Sequence, residues 1–213
     1  MKLYYFPGSC ALAGHIVLEW IGTPYETVRM SSAEVKTPQY LALNPEGVVP
    51  LLVDGDFTLT QNVAILSYLA DRYPEARLFG DGTPRGRAQV LRWLALLNSD
   101  VHPAFKPIFV PARFLPEKKL AGALADAAAA NVRRYFGLLD KRLEGRRWLV
   151  DERSIADPYL FVMLRWAIRL DIGLDGFTNL SQFAERMDAD PAVRAAIIAE
   201  EDGTTHLNFR ARA

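Results

Sequence analysis

The chain has 213 residues, half of them apolar and 23% charged, which is the composition of a globular protein with a substantial core. Its 25 basic and 25 acidic residues balance, which excludes the overall basic field of a protein that binds nucleic acid or an anionic membrane surface. A single cysteine, no signal-peptide pattern and no apolar run of membrane-spanning length lead us to expect a cytoplasmic protein.

The first 43 residues alternate between strand-like and helix-like segments. The aromatic run KLYYF ends at Pro7-Gly8, which is typical of a strand followed by a turn. Apolar residues then recur at helical spacing as far as Gly22, a residue suited to the end of a helix. A second strand over residues 25–30 and a weaker helix around residues 34–43 follow.

The next segments complete a small domain. The run VPLLVDGDFTLT predicts two strands joined by Asp54-Gly55, a strong hairpin signal. Residues 61–73 have helical spacing and are followed by Pro74. The order is therefore βαβ–ββα, and we predict an α/β domain over residues 1–78, with a small mixed sheet covered by helices.

The remainder of the chain has a different organisation. The segment FGDGTPRGR combines glycine, proline and charge, which indicates a linker over residues 79–87. No convincing strand follows, so we predict an all-helical domain over residues 88–213. The polar end of the chain is expected to fray, with His206 as part of it and Phe209 able to dock. Helical patterns occur at about residues 85–102, 117–143, 154–170, 180–188 and 191–201.

Cys10 lies at or near the beginning of the first predicted helix. Unpaired N–H groups and the helix dipole stabilise an anion there, so the thiol pKa could lie well below the free value of about 8.5. A cysteine at this position favours sulfur chemistry. The alternative is that Cys10 is a small buried hydrophobic residue, as most lone cysteines are.

Two further segments could hold a peptide-like ligand. If the Val49–Pro50 bond is cis, the Val49 N–H and C=O could pair with an extended ligand, although an ordinary trans junction is the alternative. Gln61 and Asn62 follow Thr60 at a predicted helix start, where outward N–H groups readily hold a carboxylate. As caps alone, these polar residues would need no ligand.

In order and spacing, these pieces resemble the glutathione-binding domain of a cytosolic glutathione S-transferase. The Pro-Gly-Ser-Cys turn, the Asn-Pro-x-Gly-x-Val-Pro segment and the Gln-Asn-x-Ala-Ile helix start carry the resemblance. Cys10, His15, His102 in DVHPAF and the segment SIADPYLFVMLRWA make the chain most similar to the bacterial beta class. The resemblance implies a thioredoxin-like first domain, an all-helical second domain, a homodimer, and glutathione as co-substrate without a metal.

The resemblance also implies which residues bind glutathione. Val49 would pair with the cysteinyl backbone of glutathione, with Pro50 cis, and Gln61 and Asn62 would hold the γ-glutamyl end. Relatives usually carry a lysine directly after the site histidine, where this chain has a proline. Lys106 is the candidate to replace that positive charge.

Other residues would surround the glutathione sulfur and the second substrate. Ser9 resembles the activating serine of some non-beta classes and Cys10 the beta-class cysteine. We expect Cys10 to face the ligand and Ser9 to support the turn. His102 would face the same cleft. Phe109 and Trp166 are candidates for the electrophile pocket, although aromatic residues at helical spacing more often belong to a core. His15 is expected to be structural.

A separate motif marks the beginning of a buried helix. Ser154 with Asp157 three residues later resembles the family's capping box, with aspartate where glutamate or glutamine is usual. We expect this motif to be structural. Pro158 removes a backbone donor and Arg153 is a poor hydrophobic staple, so the cap is expected to be weaker than usual.

The sequence therefore predicts a transferase that conjugates glutathione to small hydrophobic electrophiles, performs glutathione-dependent thiol–disulfide exchange, or both. The alternative is a non-catalytic binding or regulatory protein on the same fold, with an inert Cys10. Departures from the beta-class pattern motivate this alternative: Gln61 replaces a glutamate, Ala95 an asparagine and Pro103 a lysine.

Overall fold

The computed structural model describes residues 1–201, so the expectations for His206 and Phe209 lie outside the described residues. The strands are β1 (Lys2–Tyr5), β2 (Glu26–Arg29), β3 (Leu51–Asp54) and β4 (Phe57–Thr60). The helices are α1 (Ala11–Ile21), α2 (Pro38–Leu43), α3 (Asn62–Arg72), α4 (Pro84–Leu96), α5 (His102–Phe109), α6 (Ala121–Leu143), α7 (Ala156–Arg169), α8 (Thr178–Ala189) and α9 (Pro191–Glu201). Within residues 1–201, every helix is too short or too polar to cross a membrane.

The four strands form one mixed sheet in the order β2-β1-β3-β4. β1 runs parallel to β2, with α1 as the connecting helix, and antiparallel to β3. The hairpin register pairs Asp54 with Phe57, so the two central turn residues are Gly55 and Asp56, one position later than we predicted. Gly55 has a φ of +63°, which a residue without a Cβ adopts at low cost. The predicted α/β domain of βαβ–ββα order is confirmed.

The strand register brings three loops to one edge of this sheet. Tyr4 near the end of β1 pairs with Leu51 at the beginning of β3, and Leu51 pairs with Thr60 at the end of β4. The turn after β1, the loop before β3 and the residue after β4 therefore lie side by side. These are the three segments that the sequence identified as candidates for ligand binding.

The described residues after α3 form helices and loops and no strand, as predicted, but they contain one helix that we did not predict. α4 ends at Leu96, a π-helical turn covers Leu97–Val101, and α5 then begins at His102. The helical backbone continues from Val101 into α5, so Pro103 removes one hydrogen bond from a continuous helix directly after the π-helical turn. Fully buried Phe105 anchors the helix in the core, so tertiary packing outweighs the two prolines in this segment.

The beginning of α7 is closed by side chains. The Leu149 N–H donates to Asp157 Oδ1 at 2.9 Å, while the Ser154 N–H and Oγ donate to Asp157 Oδ2 at 2.7 and 3.0 Å. Both residues of the motif are fully buried. The hydrogen bonds of the motif are formed, and the Arg153 guanidinium lies over the Trp20 ring, with Cζ 4.4 Å from the ring centroid.

Candidate active site

A cavity of about 450 Å³ lies between the turn after β1 and helices α5 and α7. It is lined by Phe6, Pro7, Gly8, Ser9, Cys10, His102, Phe109, Trp166, Arg169 and Leu170. Five of these are residues that the sequence proposed: Ser9, Cys10, His102, Phe109 and Trp166. The fold therefore brings the candidate sulfur-binding turn, the histidine and the aromatic pocket residues to one place.

The turn after β1 is held by local hydrogen bonds. The Ser9 N–H donates to the Phe6 carbonyl at 3.0 Å, and Ser9 Oγ accepts from the Ala11 N–H at 3.3 Å. Cys10 precedes the first residue of α1 and its side chain makes no capping bond. Ser9 thus stabilises the turn, whereas the thiol of Cys10 is not used for this purpose.

The environment of Cys10 contradicts the lowered pKa that the sequence suggested. Burial raises the pKa of the Cys10 thiol to about 12, and the negative charge of Glu200 contributes in the same direction. The backbone N–H of Cys10 opposes this shift but does not overcome it. In the unliganded site the thiol is therefore neutral near pH 7, and it can donate its proton in a hydrogen bond.

Glu200 connects the last helix to the same turn. Its Oε2 accepts from the Gly8 N–H at 3.1 Å, and its Oε1 lies 3.3 Å from Nδ1 of His15. The side chains of Glu200 and His15 are each 1% exposed. This burial agrees with the structural role expected for His15.

His102 belongs to a short hydrogen-bonded chain. Its Nδ1 lies 2.7 Å from the hydroxyl oxygen of Tyr159, which in turn donates to Asn98 Oδ1 at 3.2 Å. A hydroxyl has one proton, and the Tyr159 hydroxyl donates it to Asn98. Nδ1 of His102 is therefore protonated and donates to the Tyr159 oxygen, which leaves Nε2 as the acceptor. Burial, and secondarily the charge of Lys106, lower the pKa of His102 to about 4. The imidazole is therefore neutral near pH 7.

Aromatic side chains form the wall opposite the turn. Trp166 Nε1 donates to the Gly8 carbonyl at 2.8 Å, and the Trp166 ring centroid lies 4.8 Å from that of His102. The Phe109 ring is perpendicular to Trp166 at 5.3 Å and is 44% exposed. Trp166 is nearly buried, so Phe109 provides most of the accessible aromatic surface of the two.

The residues proposed for glutathione do not line this cavity, but they lie at the same edge of the sheet. The Val49–Pro50 bond is cis, as the resemblance implied. Gln61 has a φ of +71°, a backbone conformation that is uncommon outside glycine and is enriched at functional sites, and its Nε2 donates to Glu46 Oε2 at 3.2 Å. Both amide atoms of Asn62 are buried without a hydrogen-bond partner among the residues described.

Lys106 lies on α5, and its proposed role toward glutathione stays a prediction. Its side chain is exposed and does not line the cavity. Lys106 acts on the site through its charge, which helps to keep His102 neutral.

The sequence did not identify Tyr159, Asn98 or Arg169 as site residues. One signal was available for Tyr159, because a tyrosine on a fully apolar helix face needs a hydrogen-bond partner for its hydroxyl. Asn98 and Arg169 had no such signal. They reach the site only because a π-helical turn precedes His102 and because the end of α7 packs on the Gly8 turn.

Comparisons with known proteins agree with this architecture. Residues 1–71 match the family model of the glutathione S-transferase N-terminal domain, and residues 98–191 match that of the C-terminal domain. The chain belongs to the glutathione S-transferase family.

Individual relatives cover nearly the whole chain. Glutathione S-transferase GST-4.5 of Xanthomonas campestris is 47% identical, over 94% of this chain and 98% of its own. A solved sphingomonad glutathione S-transferase complexed with glutathione has a TM-score of 0.83 at 39% identity, covering 94% of this chain and 98% of its own. The bacterial beta class enzyme of Sphingomonas chungbukensis has the same TM-score at 38% identity, covering 94% and 99%.

These relatives confirm the predicted family and its similarity to the beta class. The chain is an enzyme of the glutathione S-transferase type, and the alternative of a non-catalytic protein is not favoured. Residues 1–201 contain no cluster of histidine, cysteine and carboxylate side chains that could hold a metal.

Proposed function

We propose that this enzyme joins glutathione to small hydrophobic electrophiles, catalyses glutathione-dependent thiol–disulfide exchange, or does both, in the cavity between the Ser9-Cys10 turn and α7. One observation carries the proposal. A neutral thiol at a helix N-terminus, a neutral histidine and an apolar aromatic wall line one cavity of about 450 Å³. A volume of this size suits a small ligand.

Glutathione would lie along the sheet edge, with its sulfur at the Cys10 turn. The backbone of Val49 would pair with the cysteinyl residue, and the N-terminus of α3 would hold the γ-glutamyl carboxylate with Gln61 and Asn62. The position of Asn62 supports this placement, because it is the first residue of α3, and a helix N-terminus favours a carboxylate. The similarity to the sphingomonad transferase, which was solved in complex with glutathione, supports it further.

Conjugation requires an ionised glutathione thiol. The Cys10 S–H and the Cys10 backbone N–H at the beginning of α1 can donate to the glutathione thiolate, which lowers its pKa. In the tautomer that Tyr159 favours, Nε2 of His102 can accept a hydrogen bond from the glutathione thiol, and the proton goes to solvent when the thiol ionises. The glutathione sulfur then bonds to the electrophilic carbon, and the leaving group departs with the electron pair of the broken bond.

Disulfide exchange would use Cys10 itself. The Cys10 thiolate attacks the glutathione sulfur of a mixed disulfide, and the other thiol leaves with the electron pair and takes up a proton. A second glutathione thiolate then attacks the Cys10–glutathione disulfide, which releases Cys10 and forms glutathione disulfide. The raised pKa of Cys10 makes the first step slow unless bound substrate lowers that pKa.

We further propose a cytoplasmic homodimer that detoxifies electrophiles, with a glutathione-binding domain over residues 1–78, a linker over 79–87 and a helical domain over 88–213. The lone cysteine supports a reducing compartment. Phe57 on β4 and Leu91 on α4 are 44% and 37% exposed, which supports a partner surface there. Light scattering at low micromolar concentration should give twice the chain mass of 23.8 kDa, and a monomer mass would contradict the dimer.

The decisive experiment is calorimetric titration with reduced glutathione. We expect binding in the micromolar to millimolar range, weakened about tenfold in Asn62→Ala, since one charge-assisted hydrogen bond is lost. Asn131→Ala, on the exposed surface of α6, is the matched control and should bind as the unmodified protein does. If the unmodified protein shows no binding at millimolar glutathione, the proposed function is wrong.

A further inference from the structure

The cavity has one charged side chain in its lining. Its walls are apolar or aromatic, and its polar groups other than backbone are those of Ser9, Cys10, His102 and Arg169. The Cys10 thiol and the His102 imidazole are both neutral near pH 7. No aspartate or glutamate is among the lining residues described, so Arg169 is the formal charge that an acceptor substrate meets in this cavity.

The guanidinium of Arg169 lies directly against the sulfur-binding turn. A Cβ added to Gly8 would come within 2.1 Å of Arg169 Nη1 and 3.1 Å of Cζ, so the guanidinium packs onto the Gly8 backbone. Gly8 is two residues from Cys10. Arg169 also ends α7, and the negative end of the helix dipole favours a cation there.

We propose that Arg169 binds a carboxylate on the acceptor substrate, so that this cavity selects acceptors with an apolar body and an anionic group. The inference rests on the proposed function, because it assigns the second substrate of that same site. The apolar body would contact Phe109 and Trp166, and the carboxylate would accept the paired N–H groups of the guanidinium.

Two molecules offer this chemistry. One is an aromatic electrophile that carries a carboxylate, and the other is a second glutathione within a glutathione disulfide. In the first case the sulfur of glutathione bonds to the ring carbon, chloride leaves with the carbon–chlorine electron pair, and the thiol proton goes to solvent. In the second case the glycyl carboxylate would reach Arg169.

A pair of electrophiles that differ only in charge tests the proposal. Activated chloronitrobenzoate and the corresponding chloronitrobenzamide are each conjugated by the unmodified enzyme, Arg169→Gln and Arg169→Lys. The ratio of kcat/KM for the acid to that for the amide cancels differences in protein stability. We expect Arg169→Gln to lower this ratio about tenfold, the value of one charge-assisted contact, and Arg169→Lys to recover most of it.

Arg147→Gln is the matched control, since Arg147 is an exposed arginine outside the lining of the cavity, and it should leave the ratio unchanged. Inhibition of amide conjugation by glutathione disulfide separates the two sources. If glutathione disulfide inhibits Arg169→Gln less than the unmodified enzyme while the acid-to-amide ratio is unchanged, the carboxylate that Arg169 binds is that of a second glutathione.

Other results overturn the proposal. An equal loss with both electrophiles and unchanged inhibition would show that Arg169 only supports the Gly8 turn. A higher KM for glutathione with an unchanged ratio would assign Arg169 to the first glutathione. If the unmodified enzyme binds glutathione but conjugates neither compound, the proposed function stands and these electrophiles are not its acceptors. Calorimetric binding of nitrobenzoate against nitrobenzamide to the same variants then decides the role of Arg169 independently.

Discussion

The N-termini of α1 and α7 have similar backbones and opposite uses. At α7, Asp157 accepts three hydrogen bonds from Ser154 and Leu149 in a fully buried site. At α1, Cys10 makes no capping bond and faces a cavity. In both helices a serine Oγ accepts the first helical N–H at 3.3 Å, Ser9 from Ala11 and Ser154 from Ala156. Only α7 adds a buried carboxylate, which stabilises the fold, whereas the Cys10 thiol beside the cavity is available to a ligand.

The comparison also separates the effect of a helix N-terminus on a pKa from the effect of burial. A helix N-terminus favours an anion, yet burial raises the pKa of both Cys10 and Asp157. Asp157 has strong donors from neighbouring residues, and its pKa rises only to about 6. The Cys10 thiol has only its own N–H, and its pKa rises to about 12. The N-terminus of α1 therefore stabilises a thiolate only when a bound ligand offsets the effect of burial on Cys10.

The largest expected effect is a loss of stability at the N-terminus of α7. Asp157→Ala removes the acceptor for three buried donors, and we expect a loss of about 3–5 kcal/mol in the free energy of unfolding, or failure to fold. Asp151→Ala, which breaks only the exposed pair with Arg146, should cost less than about 1 kcal/mol. Urea unfolding measures both, and equal small losses would contradict the importance of the cap.

The second effect is a loss of activity at the N-terminus of α1. We expect Cys10→Ala to lower disulfide-exchange activity at least about a hundredfold, because the attacking sulfur is lost, while conjugation stays measurable. Parallel assays of thiol transfer and conjugation give the two rates. Intact exchange in this variant would show that Cys10 is not the exchanging sulfur.

The third effect is a pH dependence caused by His102. Its pKa is about 4 in the folded protein and about 6.5 when unfolded, so the unfolded state binds the proton first as pH falls. We expect His102 to cost about 2 kcal/mol of stability between about pH 7 and pH 5. Replacing it by asparagine should reduce the loss on acidification by this amount. Identical slopes for both proteins would contradict a buried neutral imidazole.

The fourth effect tests the chain from His102 to Asn98. Tyr159→Phe keeps the ring and removes the hydroxyl bonded to His102, so we expect kcat/KM for conjugation to fall about fivefold, equivalent to about 1 kcal/mol. The nitrogen chemical shifts of His102, read by NMR, should show a mixture of tautomers. A single unchanged tautomer with unchanged kcat/KM would mean that Tyr159 serves packing alone.

The smallest effect is at Ser9. Its Oγ accepts one partly exposed N–H bond from Ala11, so Ser9→Ala should change conjugation and exchange by no more than about twofold. Loss of conjugation in Ser9→Ala, together with intact exchange in Cys10→Ala, would reverse the roles that we assign to these two residues.

Local patterns in the sequence predicted most of the fold. The aromatic run of β1, the glycine of the hairpin and the periodic helices were recognisable because each depends on neighbours in the chain. α5 was not, since Pro103 and Pro107 argue against a helix and only the core contacts of Phe105 outweigh them. Periodicity reports local preference, and this helix is determined by packing.

The site was predictable where motifs carry it and not where distant segments meet. Ser9, Cys10 and His102 were identified from motif resemblance, and the cavity contains all three. Arg169 is more than 150 positions from Gly8, and no local pattern reports their contact. The predicted lowering of the Cys10 pKa was wrong for the same reason. The helix dipole is a local effect, whereas burial and the charge of Glu200 depend on distant parts of the chain.

The contact between Gly8 and Glu200 has a consequence for the timing of synthesis. These residues are 192 positions apart, and the carboxylate that fixes the turn belongs to the last helix. Domains fold from the N-terminus while the ribosome still makes the remainder of the chain. The sheet can therefore assemble early, but its reactive turn receives this support only after Glu200 has been translated. A nascent or prematurely terminated chain would contain the sulfur without the geometry to use it.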